Sequence, residues 1–294
     1  MVDSITRIAK FLISNFAYII WFALYFSIAW FVLGLTLNNF IIVALIYGGS
    51  ITIALSPIGE FILRITENCR EPATEQERNY LLPIFEEVYQ DAKELNPKLN
   101  RGIKLYIMDA MYVNAYAMGR KTIAVTRGAI ATFTADELKG LLAHELGHIT
   151  HGHTKALLLS LIGNFFFTVI VWIFRLMFFF AQLISNIVAQ FNWIGWLFSF
   201  MTFVLKIAVE VSVFIFVNLS EMILASNSRV QEIEADTFAY EIGYGRELIS
   251  GMYLLQKISM NNKPSLSEKV KASHPHIARR IENLERLENQ AIEV

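Results

Sequence analysis

The chain has 294 residues, a formal net charge of −1 and a single cysteine, Cys69. One cysteine excludes an intramolecular disulfide and a cysteine metal cluster, and the charge gives no sign of the basic surface that nucleic-acid binding requires. Hydrophobic residues make up 55% of the chain and charged residues only 17%, a composition that favours a membrane protein over a soluble domain.

Two apolar blocks are long enough to cross a bilayer, because about 20 apolar residues in a helix span its hydrocarbon core. No Asp, Glu, Lys or Arg occurs between Lys10 and Glu60, and a second block runs from Ala156 to about Ser226. We predict four transmembrane helices, near residues 11–35, 40–58, 156–184 and 193–222. The first apolar run is longer than that of a typical signal peptide, so it is expected to remain as an anchor.

Charged residues interrupt the second block at Arg175, Lys206, Glu210 and Glu221. Lys206 and Glu210 are four residues apart and can pair on one helix face. Such residues mark either an ion pathway or a structural pair. Because a single pair does not define a relay, we favour the structural interpretation.

The basic residues predict the orientation of the spans. Arg7 and Lys10 precede the first span, neither predicted hairpin loop contains Lys or Arg, and basic residues follow the second and fourth spans. Basic flanks lie on the cytoplasmic side of a membrane. Both termini and the segment between the two hairpins are therefore expected in the cytoplasm.

The segment between the two apolar blocks combines helical and strand patterns. An amphipathic helix is predicted over Thr74–Leu95, with Thr74 as its N-cap and Pro83 as a point where it kinks or splits. Three short strands are predicted at Lys104–Met108, Tyr112–Ala117 and Thr122–Thr126. A further helix is predicted to begin at Ala135, where Thr134 and Glu137 match a capping box.

This further helix carries His144–His148, a match to the pattern H-E-x-x-H. Residues four apart share a helix face, so His144 and His148 can direct ring nitrogens at one metal ion. Glu145 is placed to reach a water molecule rather than the metal and to act as its general base. The apolar neighbours predict a buried helix, and a buried histidine pair needs a partner such as a metal. The pattern therefore indicates a single zinc ion per chain.

A third ligand is needed, and the acidic segment that follows the second apolar block offers one. Glu232 and Asp236 are four residues apart and share a helix face, whereas Glu234 points elsewhere. Glu232 is the predicted ligand, and Asp236 is expected to support a ligand histidine. His151 and His153 are rival ligands, but they follow His148 too closely to complete the same site without bending the helix.

At four places the chain resembles the HtpX-type membrane metalloproteases, a bacterial group whose peptidase family also contains the eukaryotic prenyl-peptide proteases. The similar segments are Ala135–Leu138 with Leu141–His148, Ser228–Arg229 with Glu232, Ala235 and Asp236, Asn114–Gly119, and Ser273–Pro275 with Arg280–Ile281. The resemblance covers nearly the full length of the chain.

This resemblance implies zinc bound by His144, His148 and Glu232, with Glu145 as the general base and acid. It also implies that substrate adds as a strand along a segment that includes Asn114 and Ala115, and that His274 helps to stabilise the oxyanion. The implied function is the cleavage of misfolded or damaged proteins, chiefly membrane proteins, in contact with the lipid bilayer of the bacterial cytoplasmic membrane, with no nucleic-acid partner.

The expected fold is an α+β membrane protein that is mainly helical, with four transmembrane helices and a zincin-like catalytic domain around a small β-sheet. We predict a transmembrane hairpin (1–60), the first part of a cytoplasmic catalytic domain (61–155), a second hairpin (156–226) and the second part of the catalytic domain (227–294). Two alternatives stay open: a non-catalytic membrane scaffold or transporter stabilised by zinc, and a CAAX-type prenyl-peptide protease. The scaffold would need four protein ligands to zinc.

Overall fold

A computed structural model of the chain describes residues 16–191, 193–260 and 277–292. The chain forms two compact units, Met1–Gly48 with Leu161–Leu224 and Gly49–Ser160 with Ala225–Val294. The helices are α1 (Phe16–Leu33), α2 (Leu37–Ala54), α3 (Pro57–Thr66), α4 (Glu75–Leu95), α5 (Arg127–Thr132), α6 (Ala135–His151), α7 (Thr154–Ala189), α8 (Trp193–Glu241), α9 (Gly245–Met260) and α10 (Ile277–Ile292). The strands are β1 (Cys69–Arg70), β2 (Lys104–Met108), β3 (Ala115–Met118) and β4 (Thr122–Thr126).

The first unit holds most of the apolar helical sequence. Among the described residues, three helical segments are long and apolar enough to cross a membrane, namely Leu37–Ala54, Val171–Ala189 and Trp193–Ile215. The segment Phe22–Leu33 of α1 is apolar but shorter. Arg7 and Lys10 lie outside the described residues. The mainly helical membrane fold is thus confirmed, and the count of four spans stays a prediction.

One ion pair within this unit differs from the one that sequence spacing allows. Arg175 of α7 donates to both carboxylate oxygens of Glu210 on α8, over 2.7 and 2.8 Å. The sequence spacing alone allows a pair of Glu210 with Lys206 on the same helix. A guanidinium forms two parallel hydrogen bonds with one carboxylate, a geometry that an ammonium group cannot reproduce. The described pair joins two helices and supports the structural interpretation of these charges.

The second unit contains a four-stranded mixed sheet in the order β1-β2-β4-β3. Strands β2 and β4 are parallel, while β1 and β3 pair antiparallel with their neighbours. Strands β2 and β4 have the predicted bounds, and β3 begins three residues later than predicted. Strand β3 forms an edge of the described sheet, so its outer backbone groups face away from β4.

Helices α4, α6 and α9 pack with the sheet around one hydrophobic core. Helix α4 runs unbroken through Pro83, so the helix does not split there, and the alternative of a kink at Pro83 stays a prediction. Its N-terminus carries the capping box of Thr74 and Glu77, which satisfies backbone N–H groups of the first turn. The most deeply buried core side chains include Leu81, Val88, Ile107, Ile123, Leu138, Leu142 and Leu146.

The turn between β3 and β4 is fixed by Glu60 of α3. The Glu60 carboxylate accepts hydrogen bonds from the backbone N–H of Arg120 at 2.6 Å and from Oγ1 of Thr122 at 3.2 Å. Gly119 begins this turn with a φ of +75°, and a Cβ there would lie 2.3 Å from Cγ of Glu60. Glycine is therefore required, and the contact sets where the edge strand β3 ends.

Candidate active site and metal centre

Helix α6 presents the two histidines of the H-E-x-x-H pattern side by side. Its start is the predicted capping box, in which Thr134 and Glu137 exchange hydrogen bonds with each other's backbone N–H. Nε2 of His144 and Nε2 of His148 are 3.1 Å apart. His144 is buried, with 4% of its surface exposed. The four-residue spacing on one helix thus aims both nitrogens at one point.

Helix α8 brings a carboxylate to the same point. The two oxygens of Glu232 each lie 3.5 Å from Nε2 of one of the two histidines. Gly147 permits this approach, because a Cβ there would lie 2.9 Å from Cα of Ala235 on α8. The ligand atoms of His144, His148 and Glu232 all lie within 4.8 Å of one another and could hold a metal ion.

Asp236 and Arg280 form a buried clamp behind His144. Oδ1 of Asp236 is 2.9 Å from Nδ1 of His144. The Arg280 guanidinium donates to both oxygens of Asp236, over 2.6 and 2.8 Å, and also lies 2.8 Å from Glu232. One arginine from α10 therefore forms ion pairs with two buried carboxylates, which would be costly to bury without a counter-charge.

The clamp shifts the ionisation of the groups it joins. Burial raises the pKa of Asp236, but hydrogen bonds from Arg280 and His144 outweigh it and hold that pKa below its ordinary value. Burial and Arg280 lower the pKa of His144, but hydrogen bonds with Asp236 and Glu232 outweigh these two effects and raise it to about 9. A metal that binds here must displace a proton from this ring, as metals do at histidine ligands.

Glu145 lies where helix α6 meets the edge of the sheet. Its Oε2 accepts a hydrogen bond of 2.6 Å from the backbone N–H of Ala117 in β3. A cleft of about 370 Å³ opens beside this contact and is lined by Glu145, the three candidate ligands and an apolar wall. The wall includes Val113, Phe133, Leu141, Leu248, Met252, Leu255 and Ile277.

His148 has a partner on its other ring nitrogen. Nδ1 of His148 is 3.1 Å from Nδ1 of His153, and Nε2 of His153 is 2.8 Å from the carboxylate of Glu234. Burial and the neighbouring His148 lower the pKa of His153 below its ordinary value, although the hydrogen bond with Glu234 acts in the opposite direction. His151, the other rival ligand, instead has Nδ1 2.9 Å from the carbonyl oxygen of Gly147.

The remaining predicted residues are placed as follows. Asn114 and Ala115 line the cleft at the start of β3, and the Asn114 side chain accepts a hydrogen bond from the Ala115 N–H. His274 and the side chains of Ser228 and Arg229 lie outside the part of the chain that the structure describes. The prediction on His274 therefore stays a prediction.

Sequence patterns alone missed three contacts of this site. The Ala117 N–H, the Arg280 clamp on Asp236 and the His153–Glu234 pair were not anticipated. One available signal was Gly152, because a glycine at the end of a helix commonly reverses the chain and turns the next residue back towards the last turn. The other two contacts come from a strand and a helix distant in sequence, so spacing does not indicate them, although Arg280 lies in a segment that carries the family resemblance.

Comparison with known proteins identifies the family of this chain. A family model described as Peptidase family M48 matches residues 75–288. The chain is 27% identical to the Protease HtpX of Shewanella loihica over 85% of this chain and 88% of that protein. It is also 27% identical to the Protease HtpX of Aliivibrio fischeri, over 96% of this chain and 99% of that protein.

Among solved structures, the chain is similar to the crystal structure of S. mikatae Ste24p, with 19% sequence identity and a TM-score of 0.45. The similarity covers 95% of this chain and 65% of that chain, so this chain spans less than two thirds of its length.

Proposed function

We propose that this chain, which belongs to peptidase family M48, binds one zinc ion through His144, His148 and Glu232 and hydrolyses peptide bonds with Glu145 as general base and acid. Membership of the family makes the chain a metalloprotease that acts on peptide or protein substrates. Its apolar helices and its relatives make it an integral membrane protein. We propose in addition the identity of the metal, its ligands, the orientation of the protein in the membrane and the substrates.

The observation that carries the proposal is the triangle of three ligand atoms. Zinc–nitrogen and zinc–oxygen distances near 2.1 Å in tetrahedral geometry would separate two ligand atoms by roughly 3.4 Å. The separations here are 3.1 Å between the histidine nitrogens and 3.5 Å from each nitrogen to Glu232. Two imidazoles and one carboxylate are also a ligand set of catalytic zinc, which keeps one position open.

The bound zinc ion would supply a Lewis acid that polarises the scissile carbonyl and lowers the pKa of the attacking water. Glu145 takes the proton of that water and returns it to the leaving amine. The Ala117 N–H donates to one oxygen of this carboxylate at 2.6 Å and so orients the carboxylate beside the cleft. Asp236 holds the His144 ring in the orientation that keeps Nε2 available to the metal.

The substrate is proposed to bind as an added strand along Asn114–Gly119. Strand β3 is an edge of the described sheet, and its residues Ala115–Ala117 line the cleft beside Glu145 together with the preceding Asn114. Main-chain hydrogen bonds of this kind accept many sequences. Such recognition suits an enzyme that cleaves misfolded or damaged membrane proteins. His274 is proposed to donate a hydrogen bond to the oxyanion. The scaffold alternative is not favoured, since it would need a closed set of four ligands.

The enzyme is proposed to lie in a bacterial cytoplasmic membrane, with both termini and the active site in the cytoplasm. The support is the distribution of Lys and Arg, which flank the apolar blocks and are missing from the predicted hairpin loops. Reporter fusions to the two termini would test this orientation. Periplasmic reporter activity at both ends would contradict it.

The mechanism is tested with the detergent-solubilised full chain, stripped of metal by a chelator and then supplied with zinc. We expect zinc to restore cleavage of an unfolded protein substrate by the wild type. Glu145→Gln should bind zinc equally well but show no cleavage, because its amide cannot take a proton. Zinc binding without cleavage by the wild type would contradict the catalytic assignment.

A further inference from the structure

His153 lies against His148 because the chain reverses where α6 ends. Gly152 adopts a φ of 76°, a left-handed conformation that glycine favours. The His153 backbone N–H then bonds to the carbonyl oxygen of His148 at 3.0 Å. This reversal returns the His153 side chain to the last turn of α6. The short spacing between His148 and His153 was an argument against His153 as a zinc ligand. It does not prevent His153 from contacting the His148 ring.

The three groups form a hydrogen-bond chain whose direction is set by chemistry. A metal takes the lone pair of Nε2 of His148, which leaves the proton of that ring on Nδ1. This proton is donated over 3.1 Å to Nδ1 of His153, which must then be the acceptor. The proton of His153 consequently lies on Nε2, where it is donated over 2.8 Å to the carboxylate of Glu234. Each N–H donor of these three groups thus has one acceptor.

The two candidate ligand histidines are thus supported in different ways. His144 donates directly to Asp236, which is buried and held by Arg280. His148 reaches its carboxylate through His153, whose side chain is 10% exposed, and the Glu234 side chain at the end is 48% exposed. A hydrogen bond on the outer nitrogen of a ligand histidine fixes its tautomer and the direction of its ring.

From this hydrogen-bond chain we infer that His153, which is hydrogen-bonded to Glu234, is a positioning residue that holds the His148 ring in the tautomer and orientation needed for zinc. The inference rests on the proposed function, because it concerns the zinc site assigned there. His153 is not a fourth ligand. Its Nδ1 meets the side of the His148 ring opposite Nε2, and its own Nε2 is directed at Glu234.

The test is the zinc affinity of the full-length protein in detergent, measured by competition with a chelator of known affinity. His153→Ala should bind zinc about 10–100-fold more weakly than the wild type, the usual cost of losing an outer partner of a ligand. His153→Asp should recover most of this affinity, because a carboxylate can accept the same proton from His148. Glu234→Ala should have a smaller effect, since this carboxylate is half-exposed and solvent can replace it.

His151→Gln is the matched control, since the His151 ring lies beside His153 with ring centroids 5.4 Å apart, while its Nδ1 lies 2.9 Å from the carbonyl oxygen of Gly147. It should bind zinc as the wild type does. The melting temperature of the metal-free protein should be equal in the wild type and in His153→Ala, which assigns the loss to the site and not to the fold.

Wild-type zinc affinity in His153→Ala, or no recovery in His153→Asp, would overturn the inference and leave the proposed function intact. A wild-type protein that binds no zinc would instead overturn the proposed function and this inference with it.

Discussion

The backbone N–H of Ala117 donates a hydrogen bond of 2.6 Å to Oε2 of Glu145. This contact joins the edge strand of the sheet to the helix that carries the candidate ligands. It places the proposed general base beside the backbone along which the substrate is proposed to lie. The alignment of the Glu145 carboxylate therefore depends on strand β3.

Ala117→Pro removes the N–H that holds Glu145. Proline is tolerated in an edge strand where its N–H does not pair with another strand. We expect kcat to fall at least about 10-fold, because general-base catalysis contributes about 10²–10⁴-fold and requires an aligned base. Zinc affinity should stay unchanged, since Ala117 is not a ligand. A folded, zinc-loaded Ala117→Pro enzyme with wild-type kcat would show that this hydrogen bond does not align the base.

Arg280→Met removes the counter-charge of two buried carboxylates, Glu232 and Asp236. Loss of one partner of a buried ion pair costs about 3–5 kcal/mol. The metal-free variant should therefore unfold at a much lower temperature than the wild type, and zinc should recover part of the loss because it also neutralises Glu232. Arg279→Met, at the exposed neighbouring position, is the control and should melt like the wild type. Equal melting temperatures for both variants would contradict the clamp.

Gly147→Ala should destabilise the protein although alanine is the better helix former. The added Cβ would lie 2.9 Å from Cα of Ala235, so α6 and α8 must separate. Overpacking of this kind costs about 1–3 kcal/mol. Because α8 carries Glu232, zinc affinity should fall as well.

The control is Gly251→Ala, another substitution within a helix. Its Cβ would have its nearest neighbour at 3.6 Å, an ordinary contact. It should gain up to about 1 kcal/mol from helix propensity. Melting curves and chelator competition on both variants make the comparison, and similar behaviour would show that close approach at Gly147 is not needed.

The capping box of α4 predicts a pH dependence of stability. Hydrogen bonds from Arg70 and from the backbone N–H groups of Ala73 and Thr74 hold the pKa of Glu77 well below its ordinary value. A carboxylate with a lowered folded pKa adds stability that is present above its unfolded pKa, near 4.5, and is lost as the pH falls towards the folded value.

We therefore expect the melting temperature of Glu77→Gln to lie below that of the wild type at pH 7. The difference should shrink as the pH falls below about 4.5, and thermal melts between pH 7 and pH 3 measure it. A difference that stays constant over this range would mean that the charge of Glu77 does not contribute.

Features with a local cause were predicted correctly from sequence. The N-cap of Thr74, the capping box of Thr134, the strands Lys104–Met108 and Thr122–Thr126, and the H-E-x-x-H helix all depend on residues a few positions apart. Pro83 does not split α4, whose apolar side chains on both sides of the proline pack in the core. The bidentate partner of Glu210 is Arg175 of the neighbouring helix, which spacing along a single helix does not indicate.

The sequence by itself determined the membrane class, the metalloprotease chemistry and the spacing of His144 and His148, since helix periodicity and hydrophobic run length are local properties. Only the tertiary structure decided what surrounds them. His153 meets Glu234 across 81 positions, and Arg280 reaches His144 across 136. Such contacts follow from the packing of α6, α8 and α10, which the periodicity of a single helix does not specify.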